Sequence, residues 1–83
     1  MLEVNVKYFA LLRDEAGLDG GNIQTNASTL RQLYNQLQDK HGFTLGESSL
    51  KVAVNDEYTD LDSCLVGGSR IVFIPPVSGG RSV

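Results

Sequence analysis

The chain has 83 residues, of which 41% are hydrophobic and 20% charged, which is the make-up of one small globular domain and not of a disordered tail. A formal net charge of -3, with seven basic residues spread along the chain, excludes a non-specific nucleic-acid binder. A single cysteine excludes an intrachain disulfide framework and a cysteine-based metal cluster.

Residues 2–10, LEVNVKYFA, alternate: Leu2, Val4, Val6 and Tyr8 share one phase, and Glu3, Asn5, Lys7 and Phe9 the other. This pattern predicts a strand with one polar face. Phe9 is an aromatic in the polar phase. It is either covered by a helix or loop, or it is an exposed anchor at a partner surface. Residues 11–17, LLRDEAG, predict a short helical turn stopped by Gly17, and Gly20-Gly21 predicts a turn. Residues 22–27, NIQTNA, read as a short strand completing a hairpin with the first.

From Ser28 the period changes, with Leu30, Leu33, Tyr34 and Leu37 spaced as one stripe of an amphipathic helix that runs to His41. Thr29 and Gln32 match a capping box, with Asn26 and Ser28 as alternative caps, and Gly42 supplies the stop. Residues 43–50 read as loop, and residues 51–55, KVAVN, as a strand followed by the polar turn NDEYTD. A short strand near residues 58–61 and a turn at Gly67-Gly68 follow. Residues 70–74, RIVFI, form a continuous β-branched run and predict an interior strand buried on both faces. The order gives an α+β domain with one main helix on a mixed sheet. The arrangement expected is the β-grasp (ubiquitin-like) fold, with first and last strands parallel in the middle. The domain covers residues 1–76, and residues 77–83 form a flexible C-terminal tail.

No catalytic constellation emerges. Cys64 and His41 are the only members of a Cys–His pair; Cys64 reads as a small buried hydrophobe, and His41 as a residue complementing the helix dipole. One histidine and one cysteine are too few for a metal site. The pairs Asp14/Glu15 and Asp56/Glu57 read as solvated surface. The other glycine pairs lack the spacing of phosphate loops.

The ending VFIPPVSGGRSV stands apart. Pro75-Pro76 cannot continue sheet pairing and stiffens the exit of the chain. Val77 and Ser78 then lead to Gly79-Gly80, whose lack of side chains lets a tip enter a narrow channel. Such a tip suits covalent chemistry on its own carboxylate.

Together with VKYFALLRDEAG, STLRQLYNQL and KVAVND, the segment VFIPPVSGG resembles the ubiquitin-like sulfur carriers, the family that includes the small subunit of molybdopterin synthase. The likeness spans residues 3–80. It implies the β-grasp fold and a role in molybdenum cofactor biosynthesis in the cytoplasm. An adenylating, E1-like activating enzyme would use ATP on the carboxylate of Gly80. A sulfur donor would convert it to a thiocarboxylate, and the large synthase subunit would pass the sulfur to a pterin precursor. The chain would bind no cofactor or metal itself, and would lack a catalytic site of its own within a complex of two large and two small subunits. By position Gly80 would bear the sulfur and Gly79 would give the narrow approach. Phe9, Ile74, Pro75, Pro76, Val77 and Ser78 would meet the partner, and Arg13 also matches. The family's pattern stops at the second glycine, whereas here Arg81-Ser82-Val83 follows. Three readings account for it: a precursor trimmed by a processing protease, residues added by cloning, or a relative that no longer carries sulfur. The alternatives to a molybdopterin carrier are a thiazole-pathway carrier, a ubiquitin-like protein modifier and a plain interaction module.

Overall fold

In the computed structural model, which describes residues 1–76, the alternating first segment is strand β1, Leu2–Tyr8, with Val4, Val6 and Tyr8 buried. Ala10, at φ 50°, turns the chain from Phe9 into helix α1, Ala10–Ala16, which ends at Gly17 and buries Leu12 completely. Strand β2, Gly20–Thr25, runs antiparallel to β1. Helix α2, Leu30–His41, lays Leu30, Leu33, Tyr34 and Leu37 into the core, the stripe its spacing predicts. A single 3-10 turn, Glu47–Ser49, precedes strand β3, Lys51–Val54, which hairpins into β4, Glu57–Thr59. Strand β5, Arg70–Ile74, completes the domain.

The sheet order is β2-β1-β5-β3-β4, with β1 and β5 parallel and every other pair antiparallel. First and last strands therefore lie together at the centre, as the β-grasp reading expects. One face of the sheet packs on α2. There Tyr34 stacks on Phe43 at 5.9 Å between ring centroids and meets Phe73 at 5.3 Å. The Tyr34 hydroxyl donates to the Leu45 carbonyl at 2.7 Å, so its polar end is satisfied inside the core.

The start of α2 shows why the helix begins where it does. Thr29 is the cap, and its Oγ1 accepts from the Gln32 amide at 3.2 Å. The Gln32 side chain accepts from the Ser28 amide at 2.7 Å, one residue earlier than a standard capping box places it. The amides of Leu30 and Arg31 donate to the carbonyls of Ser63 and Leu61 at 3.2 and 2.8 Å. The orphan donors of this helix end are thus met by the loop before β5.

Five expectations need correction. The pair Gly20-Gly21 is not a turn but the first residues of β2, because they pair with Lys7 and Val6 and the Tyr8 amide bonds the Asp19 carbonyl at 2.8 Å, which leaves the reversal to residues 17–19. Strand β5 buries only one face: Ile71 and Phe73 are inside, whereas Val72 and Ile74 are half-buried, since a two-layer domain has nothing on the far side of its sheet. Cys64 is exposed, because its neighbours Leu61 and Leu65 take the inward positions of that loop. Glu15 is not merely solvated; its carboxylate accepts from the amide and hydroxyl of Thr44 at 3.0 and 2.7 Å. His41 packs on Tyr8 and Phe43, at 5.6 and 5.3 Å, and burial followed by the charge of Lys40 lowers its pKa, so the ring resists the charge a dipole partner needs.

Candidate functional site

The end of β5 is the organising feature of the site. The parallel register sets Lys7 beside Val72 and Tyr8 beside Phe73, and Phe9 and Ile74 are the next residues along the two chains. From there the chain enters Pro75, which is buried, and Pro76, which is exposed. Proline at both positions ends the ladder, so the chain beyond Pro76 starts from the middle of the sheet's edge and not from a peripheral strand. Val77, Ser78, Gly79 and Gly80 lie outside the described residues.

On the uncovered face the strands present a ridge of apolar groups. Val72 pairs with Ala53, and Ala53 pairs with Tyr58, so these three form one row across β5, β3 and β4. Ile74 stands in the next row opposite Lys51. Tyr58 is 74% exposed and Phe9 40% exposed, both unusually open for large aromatic side chains. Phe9 is not covered by a helix or loop: it is the N-cap residue of α1, and the Lys7 ammonium lies 5.5 Å from its ring centroid. Tyr58 is a surface residue that reading the sequence missed. Its signal was the polar turn before it: Asn55 and Asp56 both take positive φ, as a two-residue hairpin turn requires, and that register fixes which way Tyr58 faces.

The turn is itself tied to β5. Asn55 Oδ1 accepts from the Arg70 amide at 3.0 Å, the Asn55 amide donates to the Arg70 carbonyl at 2.8 Å, and Arg70 Nη2 meets Asp56 at 2.8 Å. Position and orientation of the Tyr58 strand are therefore locked to the same strand that carries the tail. Arg13 stands apart from the ridge, exposed and in a loose ion pair with Asp19 at 3.8 Å.

Two concave regions flank the sheet. One, open and about 720 Å³, lies between the Glu47–Ser49 turn and β4, where Arg31 bridges Glu47 at 2.7 Å and Asp62. The other, about 210 Å³, lies beside Tyr8 and His41. The lining of the larger includes Glu47, Ser48, Lys51, Asp60 and Asp62, of which Glu47 and Asp62 are taken up by Arg31. Among the described residues no three His, Cys, Asp or Glu side chains converge as a metal site would. Among the described residues the geometry offers an exposed apolar ridge beside the strand that runs into Pro75-Pro76.

Comparison with known proteins agrees with this geometry. A molybdopterin synthase sulfur carrier subunit from Haemophilus influenzae is 34% identical over 80 residues, covering 93% of this chain and 99% of that protein. A protein–protein complex of subunits 1 and 2 of the molybdopterin-converting factor from Helicobacter pylori contains a chain that is 30% identical, with a TM-score of 0.65, covering 95% of this chain and all of that one. The solution structure of small archaeal modifier protein 1 from Methanosarcina acetivorans is 27% identical with a TM-score of 0.77, covering 96% of this chain and 98% of that one. The model of the ThiS family matches residues 6–80. A β-grasp domain whose central strand runs out through two prolines toward a glycine pair, the chain belongs to the ThiS family.

Proposed function

We propose that this chain is a sulfur carrier for molybdopterin synthesis, and that Gly80 is the residue that carries the sulfur. The observation that bears most weight is the delivery of the chain through Pro75-Pro76 from the central strand, beside an uncovered apolar ridge. The full-length relative named as a sulfur carrier subunit supports the same reading.

The chemistry follows from the terminus. Hydrolysis of the Gly80–Arg81 peptide bond by a protease frees the Gly80 carboxylate. An adenylating enzyme joins that carboxylate to the α-phosphate of ATP, releasing pyrophosphate. A sulfur nucleophile at the oxidation level of sulfide then displaces AMP and leaves a thiocarboxylate. Adenylation is needed because a carboxylate oxygen is a poor leaving group. ATP is consumed by the activating enzyme and no cofactor stays on this chain. Gly79 and Gly80 offer no side chain to the walls of the large subunit's channel. Phe9, Ile74 and Tyr58, with Pro75 and Pro76, form the surface that holds that subunit, and Val77 and Ser78 span the distance to the reaction. The chemistry belongs to the cytoplasm.

An intact mass of the untagged protein from its own cells tests this. The expected species ends at Gly80, part of it heavier by the difference between sulfur and oxygen. In vitro, the chain ending at Gly80 releases pyrophosphate with ATP and its activating enzyme, and the full chain does not. A single species ending at Val83 in cells that are making molybdopterin would sink the proposal. The likeness to an archaeal modifier protein favours one second reading, attachment of the same tail to lysines of other proteins. Higher-mass conjugates on a denaturing gel distinguish it.

A further inference from the structure

The basic residues of the described chain are Lys7, Arg13, Arg31, Lys40, Lys51 and Arg70. They are scattered in sequence, but the fold brings Lys7, Lys51 and Arg70 to the uncovered sheet face. Lys7 on β1 and Lys51 on β3 stand on opposite sides of β5, in register with Val72 and Ile74. Arg70 lies one row further back, opposite Asn5 and held by Asp56. Lys7 and Lys51 are exposed and make no ion pair among the described residues. Asp60 lines the larger concave region together with Lys51, whereas the following carboxylates around the face are engaged or turned away. Glu47 and Asp62 are held by Arg31, Glu57 is in the opposite phase of β4, and Glu3 sits at the far end of β1 opposite Gln24. A chain of net charge -3 thus shows a positive frame around one apolar ridge.

That arrangement selects among partners. A nucleic acid would need a dense cationic track and would be repelled by the rest of the molecule. A protein surface with an apolar centre and a border of carboxylates matches both the ridge and its frame. We propose that Lys7 and Lys51, backed by Arg70, steer the uncovered sheet face onto a protein partner whose apolar docking surface is edged with acidic residues, and help to select that partner. The inference rests on the reading that this face docks the large synthase subunit. Charges of one sign on the docking side and the other sign elsewhere turn the molecule before contact, which raises the productive share of encounters.

The test is the association rate of the full chain with the large subunit from the same organism, measured by stopped flow at low and high salt. The double variant Lys7→Glu/Lys51→Glu is expected to associate about tenfold more slowly at low salt. The gap should close at roughly 0.5 M salt, where exposed charges are screened within a few ångströms. Urea melts of each variant confirm that the fold is intact. An unchanged rate for this variant at low salt overturns the inference. The pair Phe9→Ala/Tyr58→Ala separates the two ideas. If it weakens the complex while charge reversal does nothing, the docking face stands and the steering falls. If it leaves the complex intact, the docking reading itself fails and takes the steering with it.

Discussion

Gly20 lies so close to Val6 that a Cβ on the glycine would overlap the Val6 carbonyl oxygen and stand 2.9 Å from the Lys7 Cα. Both obstacles are backbone of the central sheet, which cannot swing aside as a flexible side chain would. Gly20 also has a φ of 142°, outside the range side chains tolerate.

Gly20→Ala is therefore expected to cost about 3 kcal/mol or more, because overlap adds to backbone strain. Gly42→Ala makes the comparison. Gly42 has a φ of 72° but nothing within 4 Å of its would-be Cβ, so only the left-handed conformation is penalised, at about 1 kcal/mol. Urea denaturation of both variants checks the order. Equal losses would show that the sheet yields around Gly20.

Thr29→Ala removes the cap of α2, and about 1 kcal/mol of stability should go with it. The loss should stay near that value, since the amides of Leu30 and Arg31 keep their carbonyl partners on the Leu61–Ser63 loop. Thr29→Ser should restore most of it. Equilibrium unfolding of the three proteins decides.

His41 and Tyr8 set the two ends of the pH profile. The folded pKa of His41 lies below the ordinary 6.5, so the native state binds its proton less readily than the unfolded chain does. Its contribution is complete above about pH 6.5 and is lost as pH falls toward the lowered folded value. Tyr8 and Tyr34 are pushed up to about 12 from 10.0, by burial and, for Tyr34, by Glu15 as well. Their contribution is complete below pH 10 and is lost as pH rises toward about 12. Urea midpoints from pH 5 to 11 should show both limbs. His41→Gln should flatten the acid limb between pH 7 and 5 and leave the Tyr34 share of the alkaline limb in place, whereas the share of Tyr8, whose hydroxyl lies 3.4 Å from His41 Nε2, should shrink.

Cys64→Ser should change stability by less than about 0.5 kcal/mol, as expected at an exposed position. Leu65→Ala, one residue on and buried, should cost about 2 kcal/mol or more. A large loss for Cys64→Ser would mean that the thiol is packed after all. Thermal melts of the two variants settle the matter.

The parts of the fold that could be read in the sequence were those with a clear period. The alternation of β1 and the stripe of α2 left one choice each, because each places its large apolar groups on a single face. The rest depended on contacts distant in sequence. Gly20-Gly21 looks like a turn until β1 is alongside, and Glu15 looks solvated until Thr44 arrives beneath it. Cys64 sits in a loop without a period, where Leu61 and Leu65 decide the facing. The site divides in the same way. Phe9 was visible as an aromatic out of phase, whereas Tyr58 and the frame of Lys7, Lys51 and Arg70 appear only when three strands are in register.

The parallel pairing of β1 with β5 ties the first strand of the domain to its last. Until Arg70–Ile74 has been synthesised, β1 keeps one long edge open and β3 has no neighbour on the side β5 will take. Such far-separated contacts form late in folding. Because the segment that closes the sheet leads directly into Pro75-Pro76, a partner that grips both the sheet face and these prolines meets only finished molecules. Misfolded or nascent chains would be passed over with no separate checkpoint.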